Sequence, residues 1–152
     1  MVHTTRGATL PLRIVLYAIF TLFPFLASAQ VNLWHVLAEV KMNKSTDANG
    51  YEMEKPVFND HIRFYEKKQV KIKGYIIPLS EIGAQQKFML SSLPFNVCYF
   101  CGGAGPETVI EIETSKKIDF TTKQVVMEGT LVLNDSDPDH HMYILKNAQL
   151  SN

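Results

Sequence analysis

Two segments 55 residues apart share one template: Gln69-Val70-x-x-x-Gly74-x-Ile76-Ile77 and Gln124-Val125-x-x-x-Gly129-x-Leu131-Val132. Each has the alternation of a strand and a glycine near its middle. A glycine inside a strand gives up side-chain packing, so it marks a bulge, a bend or the close approach of another backbone. Two long strands bent at their centres suit a sheet that curls on itself better than a flat one. Matches over so few positions arise easily in short β segments, so the template argues for curvature and not for duplication.

The surrounding pattern agrees. Val70 to Leu79 alternates and then becomes continuously apolar, and Lys87 to Ser91, Thr108 to Thr114, Gln124 to Leu133 and Met142 to Lys146 follow, with Gly, Pro or Asn-Asp turns between them. In Val109-Ile110-Glu111-Ile112-Glu113 the acidic positions alternate with isoleucine, which predicts a solvent-facing side. Lys71 and Lys73 share one strand face by period two, the solvated face of a half-buried sheet. The fold expected is mainly β: a small OB-like Greek-key barrel of five or six strands with an N-terminal helix. That helix is read over Val31 to Met42, where Leu33, Trp34, Leu37 and Val40 form a helical stripe and Asn32 can cap it. Trp34 on this stripe reads as a docking anchor. Asn43 to Asn49 is polar and ends in the turn signal Asn49-Gly50, so an exposed loop is expected there. Phe58, Ile62 and Tyr65 suggest a short helix or irregular segment.

The N-terminus reads as an export signal. Arg6 and Arg13 flank a basic region, Ile14 to Leu26 is apolar, and Ala27-Ser28-Ala29 is a small-x-small cleavage pattern. A spanning helix needs about 20 apolar residues, and this run is shorter and holds Pro24. No lipobox cysteine follows. The organisation expected is a signal peptide over 1–29, an N-terminal helix and loop over 30–50 and the barrel over 51–152. The mature chain would be periplasmic or secreted, with no stable membrane span. Cleavage removes two of the 15 basic residues and none of the 15 acidic ones, leaving a net charge of −2. Nucleic acid is excluded as a partner on that balance, because phosphate binding needs a basic excess.

The only two cysteines stand in Cys98-Tyr99-Phe100-Cys101-Gly102-Gly103. A c-type haem attachment needs His where Gly102 stands. A thioredoxin-type pair sets its first thiolate at a helix N-terminus, and Gly102, Gly103, Gly105 and Pro106 will not propagate a helix. Two readings remain ahead of that one. Cys-x-x-Cys-Gly is the turn of zinc ribbons, in which both sulfurs point at one ion; two thiolates also suit Cu(I). An exported chain equally permits a disulfide, although so short a ring is strained and closes little chain.

A closed zinc site needs four ligands. His140 and His141 begin the last predicted strand and could approach the cysteine loop, but on a strand they point to opposite faces, so at most one would contribute. Asp135, Asp137 and Asp139 could supply an oxygen. As a calcium loop, Asp135-Ser136-Asp137-Pro138-Asp139 lacks the sixth-position Gly and twelfth-position Glu, and a hairpin turn is the better reading. Gly102 to Gly105 has neither the Lys-Ser/Thr nor the helix of a phosphate loop. Neither a Ser-His-Asp set nor paired catalytic carboxylates stand out.

Val70-x-Ile-x-Gly-Tyr-Ile-Ile-Pro-Leu79, Lys87-Phe-Met-Leu-Ser91, and the Cys98 loop running to Gly-Pro-Glu107 together resemble a group of small exported bacterial proteins defined as a domain of unknown function. The resemblance covers about residues 33 to 150 and implies an OB-like exported domain with no established activity. The function expected is binding rather than turnover: an exported envelope protein handling zinc or copper through Cys98 and Cys101, with His140 or His141 as a further ligand. The alternative is a structural or interaction module with a disulfide and no metal, meeting an unknown envelope protein. A thiol oxidoreductase is third.

Overall fold

The computed structural model describes residues 32–46, 50, 52–79 and 83–151. The predicted signal peptide lies outside the described residues. In chain order the elements are α1 (Leu33–Leu37), β1 (Lys41–Thr46), β2 (Glu52–Val57), α2 (Asp60–Phe64), β3 (Gln69–Ile77), β4 (Gln85–Ser91), β5 (Val109–Ile118), β6 (Val125–Leu133) and β7 (Tyr143–Leu150). Among the described residues no helix is long and apolar enough to cross a membrane.

Strands β3 to β7 close into a barrel in the order β3-β4-β5-β7-β6, with β6 returning to β3. All pairings are antiparallel except that of β5 with β7. The predicted mainly β architecture, a barrel of five or six strands with an N-terminal helix, is observed with five strands. Inside lie Ile72, Ile76, Phe88, Leu90, Ile110, Ile112, Met127, Leu131, Tyr143 and Leu145. These are the alternate positions of each strand, the inward half of a pleat with period two.

The two template segments meet each other. Val70 pairs with Gly129, and Gly74 pairs with Val125, so each segment sets its valine against the other's glycine. Both glycines sit at corners. At Gly74 strand β3 changes partner, from β6 over Gln69–Gly74 to β4 over Tyr75–Ile77. A methyl group there would lie 2.5 Å from the Ser91 carbonyl oxygen. Gly129 faces the point where β7 carries one extra residue against both neighbours. Asn147 takes up that bulge at φ +51°, a conformation asparagine tolerates better than most residues.

The N-terminal helix is shorter than its stripe predicts. Asn32 caps it as expected, its Oδ1 accepting from the Trp34 N–H at 3.3 Å, but it ends at Leu37. Five residues are too few to be stable alone; α1 is held by burial of Leu33, Val36 and Leu37 in the barrel core beside Phe58 and Ile62. Trp34 anchors it, donating its indole N–H to the Lys73 carbonyl at 2.7 Å.

Of the exposed loop expected over Asn43 to Asn49, Asn43 to Thr46 is exposed strand, and residues 47–49 lie outside the described residues. β1 and β2 pair antiparallel from Lys41 with Val57 to Thr46 with Glu52, across the predicted boundary at residue 50. Almost every position of this hairpin is exposed. It therefore lacks the apolar alternation that would have revealed it. Lys44 opposite Glu54 supplies one complementary cross-strand pair.

Candidate functional site

The parallel pairing of β5 with β7 puts the two loops that precede them at one end of the barrel. The first, residues 92–108, carries the cysteines; the second, residues 134–142, carries the histidines.

The cysteine loop is clamped at its base. Ser92 N–H donates to the Thr108 carbonyl at 2.9 Å, and Thr108 N–H to that of Gly105 at 3.1 Å. Within it the chain turns back on itself after Cys98. The Cys98 carbonyl accepts from Cys101 N–H at 3.0 Å and Gly103 N–H at 3.2 Å. Gly102 sits at φ +74°, the left-handed region that favours glycine. Gly103 lies so close to Val97 that a methyl group would fall 2.5 Å from the Val97 carbonyl oxygen. The Tyr99–Cys101 turn is three residues long and ends at Gly102, so no helix dipole acts on either sulfur.

The two thiols are unbonded and unlike. Cys98 is fully buried on the outer face of the barrel, packed with Ile77, Met89 and Val109. Cys101 is exposed, and its thiol donates to the Phe95 carbonyl at 3.0 Å. Desolvation, then the charge of the Cys98 sulfur and a hydrogen bond to it, push the Cys101 pKa up. A raised pKa is the reverse of what an attacking thiolate needs. Around the pair, Phe95, Val97, Tyr99 and Phe100 are all exposed, Phe95 at 60% and Phe100 at 50%.

The histidines part company. The His140 Nδ1 lies 2.9 Å from a Glu111 carboxylate oxygen. The His141 backbone N–H donates to the same carboxylate at 3.0 Å. Glu111 is only 7% exposed, so the solvent-facing position predicted from its alternation is corrected: loop 134–142 covers it. The His141 ring turns inward, where its Nδ1 accepts from the Tyr143 N–H at 3.2 Å. Burial lowers its pKa, opposed in part by the backbone of Tyr143, the Glu111 charge and the backbone of Pro106. Asn134 holds the loop, its Nδ2 donating to the carbonyls of Asp137 at 2.7 Å and His140 at 3.0 Å. The predicted hairpin turn through Asp135 to Asp139 is thus observed between the antiparallel β6 and β7.

Ligand atoms of Glu111, Glu113 and His140 lie within 4.8 Å of one another and could hold a cation. Sequence reading missed this group because it took both glutamates as solvent-facing. Its charges are already matched: Lys87 Nζ lies 3.0 Å and Lys146 Nζ 4.0 Å from the Glu113 carboxylate. Donation by Lys87 is the main reason the Glu113 pKa is low. Among the described residues no third His, Cys, Asp or Glu joins the two sulfurs in such a group. His140 and His141 instead line a cleft of about 380 Å³ shared with Met42, Met53, Pro106 and Met142, and neither cysteine reaches it.

No protein-family model matches this chain, and no curated protein matches it at a significant level. Among solved structures, a DUF3299 family protein from Pseudomonas aeruginosa is similar over 65% of this chain and 68% of its own, at 16% identity and a TM-score of 0.46.

Proposed function

We propose that the protein is an exported envelope binding module that holds a soft metal ion, zinc or copper, between Cys98 and Cys101. The observation that carries this reading is the turn itself. Two adjacent sulfurs are presented by a loop clamped at its base, with the left-handed Gly102 that such a knuckle needs. Soft thiolates select Zn(II) or Cu(I) over hard cations. Neither thiol has the helix terminus that activates an oxidoreductase.

The test is the metal content of tag-free protein purified under reducing conditions and loaded with Zn(II) or Cu(I). Stoichiometric metal is expected, lost in both Cys98→Ser and Cys101→Ser, since removing either sulfur breaks the chelate. Binding should release protons and weaken as pH falls. An interaction module with a disulfide is the second reading, favoured by the exposed aromatic side chains around the pair. Protein that takes up no metal, and whose non-reduced mass is two hydrogens lighter than its reduced mass, would establish that reading instead.

A further inference from the structure

We infer that a second copy of this chain completes the site: two molecules meet cysteine loop to cysteine loop on a two-fold axis and share one zinc ion through four thiolates. This rests on the metal-binding reading above and names its ion and its partner.

The first argument is the ligand count. A closed zinc site takes four ligands in a tetrahedron. One chain offers two sulfurs, and among the described residues no third side chain of suitable type is grouped with them. Half a set is what a two-fold partner doubles, because a tetrahedron of four sulfurs itself has two-fold axes. A self-complementary patch of this kind is the commonest form of homo-oligomer contact. Four thiols give up four protons to the ion as it binds.

The second argument is the surface around the sulfurs. Between Lys87 and Glu107 the chain has no Asp, Glu, Lys, Arg or His, although a fifth of all its residues are charged. A surface that meets its own copy sets each charge near its like, so a charge-free patch removes the main penalty of self-association. Loss of charge with enrichment in aromatic residues is also the signature of an interface centre. Phe95, Val97, Tyr99 and Phe100 supply that centre, with the Tyr99 and Phe100 rings edge-to-face at 5.4 Å.

The third argument is access. Cys98 is buried and Cys101 exposed on one tight turn, in which Cys101 N–H donates to the Cys98 carbonyl at 3.0 Å. An ion that touches both must enter from the Cys101 side, the side that carries the exposed aromatics. A second copy seated there would exclude water from the ion.

The experiment is a titration of reduced protein with Zn(II), following molecular mass by sedimentation and metal by elemental analysis. The expected result is one zinc per two chains, a doubling of mass, and return to monomer on adding EDTA. Co(II) in place of zinc should give the intense visible absorption of a tetrahedral thiolate site. Phe100→Asp, at a position 50% exposed, should weaken zinc-dependent dimerisation at least tenfold with both thiols still titratable and the melting temperature unchanged. One zinc per chain on a monomer overturns the shared site and leaves the metal-binding reading standing. A dimer that persists in EDTA and reductant also overturns it. Absence of any metal on fully reduced protein sinks both.

Discussion

The Tyr143 hydroxyl donates to the Leu37 main-chain carbonyl at 2.8 Å inside the core, tying the start of β7 to the end of α1. The residues are 106 apart in sequence, so this bond joins the N-terminal segment to the last strand. Burial drives the Tyr143 pKa up, which keeps the hydroxyl protonated as the donor.

Tyr143→Phe should therefore destabilise the domain by about 1 kcal/mol. The low end of the range for a buried bond applies for two reasons. The Leu37 carbonyl still accepts from Val40 N–H at 3.3 Å, and the ring retains its packing on Phe58 at 5.7 Å between centroids. A urea unfolding midpoint that does not move would show that burial alone holds α1.

Gly74→Ala and Gly129→Ala should each cost about 1–3 kcal/mol through crowding. Neither glycine needs a positive φ; what excludes a methyl group is the neighbouring strand. At Gly74 the obstacle is main chain, the Ser91 carbonyl oxygen at 2.5 Å, which cannot rotate away. At Gly129 the contacts are 2.9 Å to Leu145 Cγ and 2.9 Å to the Lys146 carbonyl oxygen. Gly83→Ala is the control, since nothing lies within 4 Å of its added methyl group. Equal melting temperatures for all three variants would refute the corner role of the two template glycines.

That role is also where the sequence was most legible. The mid-strand glycines and period-two alternation carry the barrel because both report directly on backbone geometry and on which face is buried. The β1–β2 hairpin was hidden because it is exposed on nearly all positions, leaving no periodicity to read. α1 stops at Leu37 although its stripe runs to Val40, since the chain turns to enter β1 at Lys41. Cys98 and Cys101 were evident as a motif, and the Gly102 turn follows from it. The Glu111–His140 contact was not. It depends on loop 134–142 folding over β5, a tertiary event that no local pattern encodes.

Burial of His141 sets a pH dependence. Its pKa is lowered in the folded state, against about 6.5 for an unperturbed histidine. Below about pH 6.5 the unfolded chain takes up a proton that the folded ring resists, so the unfolded state binds more protons and stability falls as pH falls. The Glu111 charge opposes this only in part. Stability measured by denaturant between pH 7 and 5.5 should therefore decline, and His141→Gln should flatten the slope. A slope unchanged by His141→Gln would mean that another group controls this window.

Thiol reactivity separates the two cysteines and bears on what they do. Cys101 is exposed and Cys98 fully buried beneath its own loop. Iodoacetamide on reduced, metal-free protein should label Cys101 first, and Cys98 only as the 92–108 loop opens. Because desolvation and the Cys98 sulfur raise the Cys101 pKa, little thiolate is present at neutral pH. Its labelling should be slower than that of an unstructured peptide thiol at pH 7, and should accelerate as pH rises toward 9. Under the metal-binding reading, zinc added beforehand protects both positions, because a coordinated thiolate is withdrawn from attack. Mass-spectrometric mapping over time gives the order, the pH profile and the protection together. Labelling of Cys98 ahead of Cys101, or a Cys101 faster than a peptide thiol at pH 7, would mean an activated thiolate. The oxidoreductase reading would then displace the binding one.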